Sequence, residues 1–293
     1  MKIGFLGTGL MGQPMALKLL QANYDVIAYN RTQSKLQLIA EAGGAIANSA
    51  TEVIRQADCI ILMLTDAAAI EGWILSADAK SHLNGKTIIQ MGTIAPTESK
   101  SIRDRVVAAG GEYLEAPVLG SIPQVKAGEL LVMVGSTEAQ FTKYKDLFQQ
   151  YSPEPMYIGE VGTAAAMKLA LNQLIPSLIS SFSLSLSLIQ HSGVDEEKFM
   201  SVLRQSAIYA PTFDKKLPRM RDRDFNNPNF PTKHLLKDTD LIIDRAAELG
   251  LNTSHIKGVK QVIQTALDMG LDDLDYSSIY SAINPPKSDR VEN

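Results

Sequence analysis

Short apolar runs alternate with amphipathic stretches through the first half of the chain. Lys2–Leu6 is apolar and stopped by Gly7, which predicts a first strand. Met11, Met15, Leu19 and Ala22 then recur at helical spacing, predicting a helix over Met11–Gln21. Asp25–Tyr29 reads as the second strand and Gln33–Ala42 as the next helix. Cys59–Leu64 and Thr87–Met91 are near-continuous Ile, Leu and Met runs, the pattern of strands covered on both faces of a parallel sheet. Glu112–Glu115 and Leu130–Val134 are further strands, with a glycine-containing loop between them. This alternation predicts a doubly wound, Rossmann-type α/β domain.

From about Thr163 glycine becomes sparse, and helical periodicity covers 164–191, 195–207, 232–249 and 255–270. The run Ser183-Leu184-Ser185-Leu186-Ser187-Leu188 alternates with period two, as a strand would. Its position inside some 28 residues broken only by Pro176 favours a buried helix instead. Gly193 is the expected cap of that helix and Asp195 the start of the next. Arg219–Asp224 alternates charges that nearly cancel and reads as a solvated, salt-bridged segment. The pattern divides the chain into an α/β domain at 1–163, an all-α domain at 164–284 and a tail at 285–293 expected to be disordered.

Composition narrows the function. The 293 residues are 45% hydrophobic and 20% charged, ordinary for a globular enzyme. The net charge, 28 − 32 = −4, argues against nucleic acid as a partner. From Leu169 to Asp195 the chain is uncharged, but Asn172, Gln173, Pro176, His191 and several serines interrupt it, which argues against a membrane span. The N-terminus shows no secretory pattern, and the single Cys59 can form no intrachain disulfide, so a cytoplasmic location is expected. His82, His191, His234 and His255 are scattered, without metal-ligand spacing.

Gly7-Thr8-Gly9-Leu10-Met11-Gly12 is G-x-G-x-x-G, placed after a strand and opening a helix. Gly7 permits the tight turn, Gly9 lets backbone approach a pyrophosphate, and Gly12 lets helix pack on strand. The helix start, with Leu10 and Met11, offers N–H groups to the anion. A carboxylate at the end of strand two holds the ribose 2′-hydroxyl in NAD-binding proteins. Here Asn30-Arg31-Thr32 stands there. Arg31 would pair with a 2′-phosphate, and Asn30 and Thr32 can donate to it, so the expected cofactor is NADP(H).

Four segments in order resemble the β-hydroxyacid dehydrogenase family: Gly7–Leu20, Glu115–Leu130 (EAPVLGSIPQVKAGEL), Gly159–Asn172 (GEVGTAAAMKLALN) and Phe230–Leu241 (FPTKHLLKDTDL). Within that family, Asn-Arg-Thr at 30–32 looks most like the NADP-using glyoxylate/succinic semialdehyde reductases. The resemblance implies a catalytic lysine at Lys168 and a partner asparagine at Asn172. It implies cofactor contacts at Met63, Leu64, Thr65 and Thr93, and at Phe230 and Lys237, which match residues closing over the nicotinamide. It implies a substrate-carboxylate loop around Leu119, Gly120 and Ser121. Leu119 replaces the family's serine there, and Gly92 replaces the serine before Thr93. The residues agree in part: Lys168 and Asn172, four apart, share a helix face, and the apolar neighbours of Lys168 would strip an ammonium of solvation.

The expected activity is NADPH-dependent hydride transfer to a small carboxylate-bearing aldehyde or keto acid, such as glyoxylate or succinic semialdehyde, by a homo-oligomer. The alternatives are a 3-hydroxyisobutyrate- or 3-hydroxybutyrate-type dehydrogenase, and a dehydrogenase-like binding module without catalysis. Length argues against 6-phosphogluconate dehydrogenase, and Lys168 against an imine reductase or a non-catalytic module.

Overall fold

The structure, a computed structural model, describes residues 1–286. Nine strands form its sheet: β1 (Lys2–Leu6), β2 (Asp25–Tyr29), β3 (Ala45–Ile46), β4 (Cys59–Leu62), β5 (Thr87–Gln90), β6 (Glu112–Glu115), β7 (Val118–Leu119), β8 (Leu131–Gly135) and β9 (Met156–Gly159). Their order is β3-β2-β1-β4-β5-β6-β8-β7, with β9 on β8. The first six strands run parallel; β8 is antiparallel to β6 and β7. This is the doubly wound arrangement, and its order reverses between β1 and β4, where such sheets bind ligands at their carboxyl ends.

The apolar runs resolve into two cores. Ile3, Phe5, Cys59, Ile61 and Ile89 join one, and Leu6, Ile60, Leu62 and Ile88 join the other. Alternate residues of one strand thus serve opposite faces, which is why both parities had to be apolar. Met15, Ala16 and Leu19 of α1 (Gly12–Gln21) fill the first core, while Val53, Ile70, Ile102 and Val106 fill the second.

The expected helix Gln33–Ala42 opens as a 3-10 turn, Gln33–Leu36, before α-helix Gln37–Glu41. Strands β3 and β7 have two residues each, too few for a periodicity, and β9 keeps Met156 and Tyr157 exposed. The loop expected between the last two strands also holds a short helix, Ile122–Ala127, stopped by Gly128 in the left-handed region at φ 74°.

The long helix Thr163–His191 keeps the Ser-Leu alternation helical. Ser183 and Ser187 are buried, and each hydroxyl donates to the carbonyl four residues back, Ile179 and Ser183, at 2.7 Å. A serine that bonds its own helix satisfies itself in a core. By length and composition this helix could cross a membrane; Leu169, Ile179, Phe182 and Leu186 are buried in the folded chain. Helices Glu196–Arg204, Pro211–Asp222, Thr232–Glu248 and Ser254–Asp268 follow, then a 3-10 turn at Tyr276–Ser278 and helix Ile279–Ile283. Asp195 caps the first of these, accepting from the Lys198 N–H at 2.9 Å. The charged run 219–224 is the end of helix Pro211–Asp222, with Met220 buried and Arg221 paired to Asp222.

The chain forms two compact units, divided between Leu169 and Ala170, within the long helix. The expected boundary at 163/164 marks where that helix begins. Of the tail at 285–293, only Pro285 and Pro286 are described; the rest lies outside the described residues.

Candidate active site

In the first unit the candidate cofactor residues all follow strand ends on one edge of the sheet. Gly7 takes φ +95°, and a side chain there would meet the Met63 carbonyl at 2.4 Å. A Cβ on Gly12 would lie 1.9 Å from the Gly7 carbonyl oxygen, so α1 abuts the turn after β1. A Cβ on Gly9 would meet nothing within 4 Å. The three glycines therefore do three jobs: turn, open approach and close packing. Thr8 is buried, and its hydroxyl has no hydrogen-bond partner among the described residues. The first turn of α1 carries no acidic side chain, which leaves its positive end uncompensated. An open cradle, an orphaned hydroxyl and a helix N-terminus fit a dinucleotide pyrophosphate.

Asn30 ties this loop to the end of β2. Its Oδ1 accepts from the Thr8 N–H at 3.1 Å, and its Nδ2 donates to the Thr32 carbonyl at 3.1 Å. Arg31 and Thr32 stand exposed beyond that clasp. Met63 and Leu64 follow β4 half-buried, and Thr65 is exposed. Thr93 is presented by a turn after β5 that Gln90 holds from inside. The Gln90 side chain donates to the Gly92 carbonyl at 3.0 Å and accepts from the Gly92 N–H. A Cβ on Gly92 would come 2.5 Å from the Leu64 carbonyl oxygen, so a serine there would require the chain after β4 to shift.

The strand β6 leads into Leu119, Gly120 and Ser121. Leu119 is half-buried and pairs across β7 with Leu131. Gly120 takes φ +133°, with Leu130 2.6 Å from where a Cβ would sit. The Ser121 N–H and hydroxyl both donate to Gln124 Oε1, at 3.0 and 2.8 Å, capping the short helix. Both Ser121 donors thus already have an acceptor, whose place a substrate carboxylate would share or take.

Glu115, 1% exposed, ends β6. Its Oε1 accepts from the Gly162 and Ala165 N–H groups at 2.8 and 3.0 Å, and its Oε2 from the Ser99 hydroxyl. Burial pushes its carboxyl above the usual range, and these hydrogen bonds oppose the rise. Three residues past Ala165, Lys168 is buried at 9% exposure in the long helix.

In the second unit, Asn172 is one turn further along that helix. Its Nδ2 donates to Asp238 Oδ2 at 2.7 Å, while its Oδ1 is buried without a hydrogen-bond partner among the described residues. Lys237 lies 2.7 Å from the other oxygen of Asp238. An orphaned acceptor beside a fixed amide is a group held ready for a donor. Phe230 is half-buried and packs against His234 and Tyr276. Its carbonyl accepts from the Tyr276 N–H at 3.0 Å. The neighbouring Asp275 is fully buried; its Oδ1 and Oδ2 accept from Lys216 at 2.7 and 2.8 Å, and Oδ1 also accepts from the Ser277 N–H and hydroxyl at 3.1 and 2.7 Å. Burial pulls the Lys216 ammonium down and Asp275 opposes that. The Asp275 backbone bridges to Pro231 and its carbonyl accepts from the Thr232 hydroxyl at 3.3 Å, at the start of helix Thr232–Glu248, which carries Lys237 and Asp238. Among the described residues no group of three His, Cys, Asp or Glu could hold a metal ion.

Two family models match the chain. The NAD binding domain of 6-phosphogluconate dehydrogenase covers residues 2–159, and the NAD-binding region of NADP-dependent 3-hydroxyisobutyrate dehydrogenase covers 162–283. Glyoxylate/succinic semialdehyde reductase 1 of Arabidopsis thaliana is 30% identical over 285 residues, spanning 97% of this chain and 98% of that one. The chain belongs to the β-hydroxyacid dehydrogenase family. The 2-hydroxy-3-oxopropionate reductase of Escherichia coli (strain K12) is also 30% identical, over 97% of each chain. The 3-hydroxyisobutyrate dehydrogenase of Mycobacterium tuberculosis, solved with L-serine, shares the fold at TM-score 0.87 and 22% identity, over 97% of this chain and 99% of that one.

As a β-hydroxyacid dehydrogenase, the protein is an oxidoreductase with an NAD(P)-binding domain and a helical domain. Reading the sequence for its site singled out Asn172 but not Asp238, and the substrate loop but not Glu115 or Gln90. Each lies inside or beside a segment that drew notice, Glu115 as the first residue of EAPVLG and Asp238 after Lys237. Their signal was a carboxylate or amide at the end of a buried strand or on a buried helix face, where a polar group needs a partner.

Proposed function

We propose that this β-hydroxyacid dehydrogenase is an NADPH-dependent reductase of small carboxylate-bearing aldehydes or keto acids, of the glyoxylate or succinic semialdehyde kind, with Lys168 as proton donor. The observation that carries the reading is a lysine 9% exposed on the long helix, one turn before an asparagine whose amide is fixed by Asp238. The nicotinamide supplies a hydride when bound. The chain's own residues then have to stabilise and protonate an alkoxide, and an ammonium held in a dry setting does both. Asn172, with one Nδ2 hydrogen committed to Asp238, presents an Oδ1 without a hydrogen-bond partner among the described residues, which suits orienting an ammonium or accepting from a substrate hydroxyl.

The preference for NADPH rests on Arg31, exposed at the end of β2 where no carboxylate stands to repel a 2′-phosphate. The relatives' names support the substrate class. Leu119 adds an apolar wall to the loop and favours the longer acids over glyoxylate. A kinetic screen of glyoxylate, succinic semialdehyde and 3-hydroxyisobutyrate with both cofactors tests the reading. Arg31→Ala should raise KM for NADPH about 10–100-fold, the size of one charge-assisted bond of about 1.5–3 kcal/mol, and leave NADH nearly unchanged. Equal efficiencies with the two cofactors in the unmodified protein would contradict it.

A homo-oligomer belongs to the same reading. Leu174, Ser181, Leu184 and Leu188 recur on one face of the long helix, and the three leucines are 50–60% exposed. Leu184→Glu should dissociate the assembly in sedimentation; a wild-type chain that sediments as a monomer would refute it. Cytoplasmic residence is supported by Cys59, buried and unpaired, and cell fractionation would test it.

A further inference from the structure

Glu115 is an expensive residue in its position. It is 1% exposed, and the hydration a buried carboxylate loses is costly unless hydrogen bonds replace it. A helix start is ordinarily capped by a local Ser, Thr, Asp or Asn. Thr163 is present at the start of the long helix, but its hydroxyl donates back to the Glu160 carbonyl at 2.7 Å. The N–H groups of that first turn go instead to a side chain 47 and 50 positions earlier in the chain.

The surroundings are shaped around this carboxylate. Gly135 of β8 pairs with Glu115, and a Cβ on Gly135 would lie 2.5 Å from Glu115 Oε1. Ser99, which donates to Oε2, lies 2.9 Å from the Tyr113 hydroxyl and is itself fully buried. Ser99 sits near the start of helix Pro96–Ala108, just after the Thr93 turn. One carboxylate therefore joins three elements: the strand that runs into the substrate loop, the helix that follows the Thr93 turn, and the first turn of the helix that carries Lys168. A candidate site residue lies within a few positions of each junction: Leu119 after β6, Thr93 before helix Pro96–Ala108, and Lys168 past the start of the long helix. A local cap would have satisfied the helix N–H groups but fixed nothing else.

We infer that Glu115 is a positioning residue for Lys168, clamping the first turn of the long helix to β6 so that the ammonium is held in register with the Leu119–Ser121 loop. This rests on the reading of Lys168 as proton donor. The clamp acts through geometry, since displacement of a catalytic group by about 1 Å can slow the chemical step up to about 100-fold. The helix dipole adds to the hold, because an anion at a helix N-terminus is favoured there.

The experiment is a double-mutant cycle with Glu115→Gln and Lys168→Ala, read by single-turnover hydride transfer and by NADPH titration. Glutamine keeps the size of the side chain and weakens its acceptance of the helix N–H groups. Glu115→Gln is expected to slow hydride transfer about tenfold while NADPH affinity stays within about twofold, because the glycine loop and Arg31 are untouched. In the Lys168→Ala background, Glu115→Gln is expected to cost little more, since groups acting as a unit are non-additive. A fall in melting temperature alone, with hydride transfer per folded molecule unchanged, would overturn the inference. So would an undiminished loss in the Lys168→Ala background. If Glu115→Gln does not fold, Ser99→Ala removes one of the bonds to the carboxylate and should slow hydride transfer about two- to fivefold; an unchanged rate there overturns the proposal. Lys168→Ala alone, if fully active, defeats the reading of Lys168 rather than the clamp.

Discussion

The two units build their parts of the site from different materials. In the first, the glycine loop and the turn after β5 are closed by backbone approach, with Asn30 and Gln90 as side-chain ties: Gly7, Gly12 and Gly92 are places where a Cβ would strike a carbonyl oxygen at 1.9–2.5 Å. In the second, the parts are side chains held by other side chains: Asn172 by Asp238, 66 residues away, and the Phe230 approach by the buried Lys216–Asp275 pair. Buried polar side chains accordingly concentrate in the shorter, second unit, among them Asn172, Lys216, Thr232, Asp238, Asp275 and Ser277. A backbone-made site tolerates changes of surface side chain but no added atom at its glycines. A side-chain-made site tolerates volume changes but no lost partner.

That contrast can be broken first at Gly12. Gly12→Ala places a methyl 1.9 Å from the Gly7 carbonyl oxygen, so α1 must move away from the turn. Overpacking of this kind costs about 1–3 kcal/mol, and a clash with backbone belongs at the upper end. Thermal unfolding should show that loss, together with a drop of more than about tenfold in cofactor affinity. Unchanged affinity would mean that the close approach of helix and turn does not shape the cradle.

The helical unit is sharpened at Asp238. Asp238→Leu keeps a side chain branched at Cγ but leaves the Asn172 amide and Lys237 without this carboxylate, at about 1–3 kcal/mol for a buried donor stripped of its acceptor. Hydride transfer should slow roughly tenfold, or about 1.4 kcal/mol, as Asn172 loses its orientation. A rate equal to wild type would make the Asn172–Asp238 bond a packing detail.

How much of this was legible in the sequence follows the same division. The five longer parallel strands, β1, β2, β4, β5 and β6, the G-x-G-x-x-G loop and the long helix are carried by runs and spacings within a few residues, so they could be read directly. Strands β3 and β7 could not be, because two residues carry no period, and helix Pro211–Asp222 was obscured by Pro218 and its charged end. Asn30 was read as a phosphate donor, yet its side chain also clasps Thr8 and Thr32, a link across 22 residues that no local pattern encodes. Asp238 and Glu115 stayed hidden for the same reason: each is defined by a partner brought close only by folding.

The smallest expected effect lies in the first unit, at Leu119. Leu119→Ser adds a hydroxyl to the loop after β6, worth about 0.5–1.5 kcal/mol if it reaches the substrate carboxylate. Specificity, measured as the ratio of kcat/KM for glyoxylate over succinic semialdehyde, should rise about two- to tenfold. An unchanged ratio would separate Leu119 from the choice of substrate.

The central claim is that Lys168 performs the proton transfer rather than supporting the helix. Lys168→Ala leaves Gly7–Gly12 and Arg31 as they are, so NADPH affinity by fluorescence titration should match wild type. Single-turnover hydride transfer should fall by about two to four orders of magnitude, the usual contribution of a positioned acid. Near-wild-type hydride transfer by a folded Lys168→Ala protein that binds NADPH normally would contradict the account.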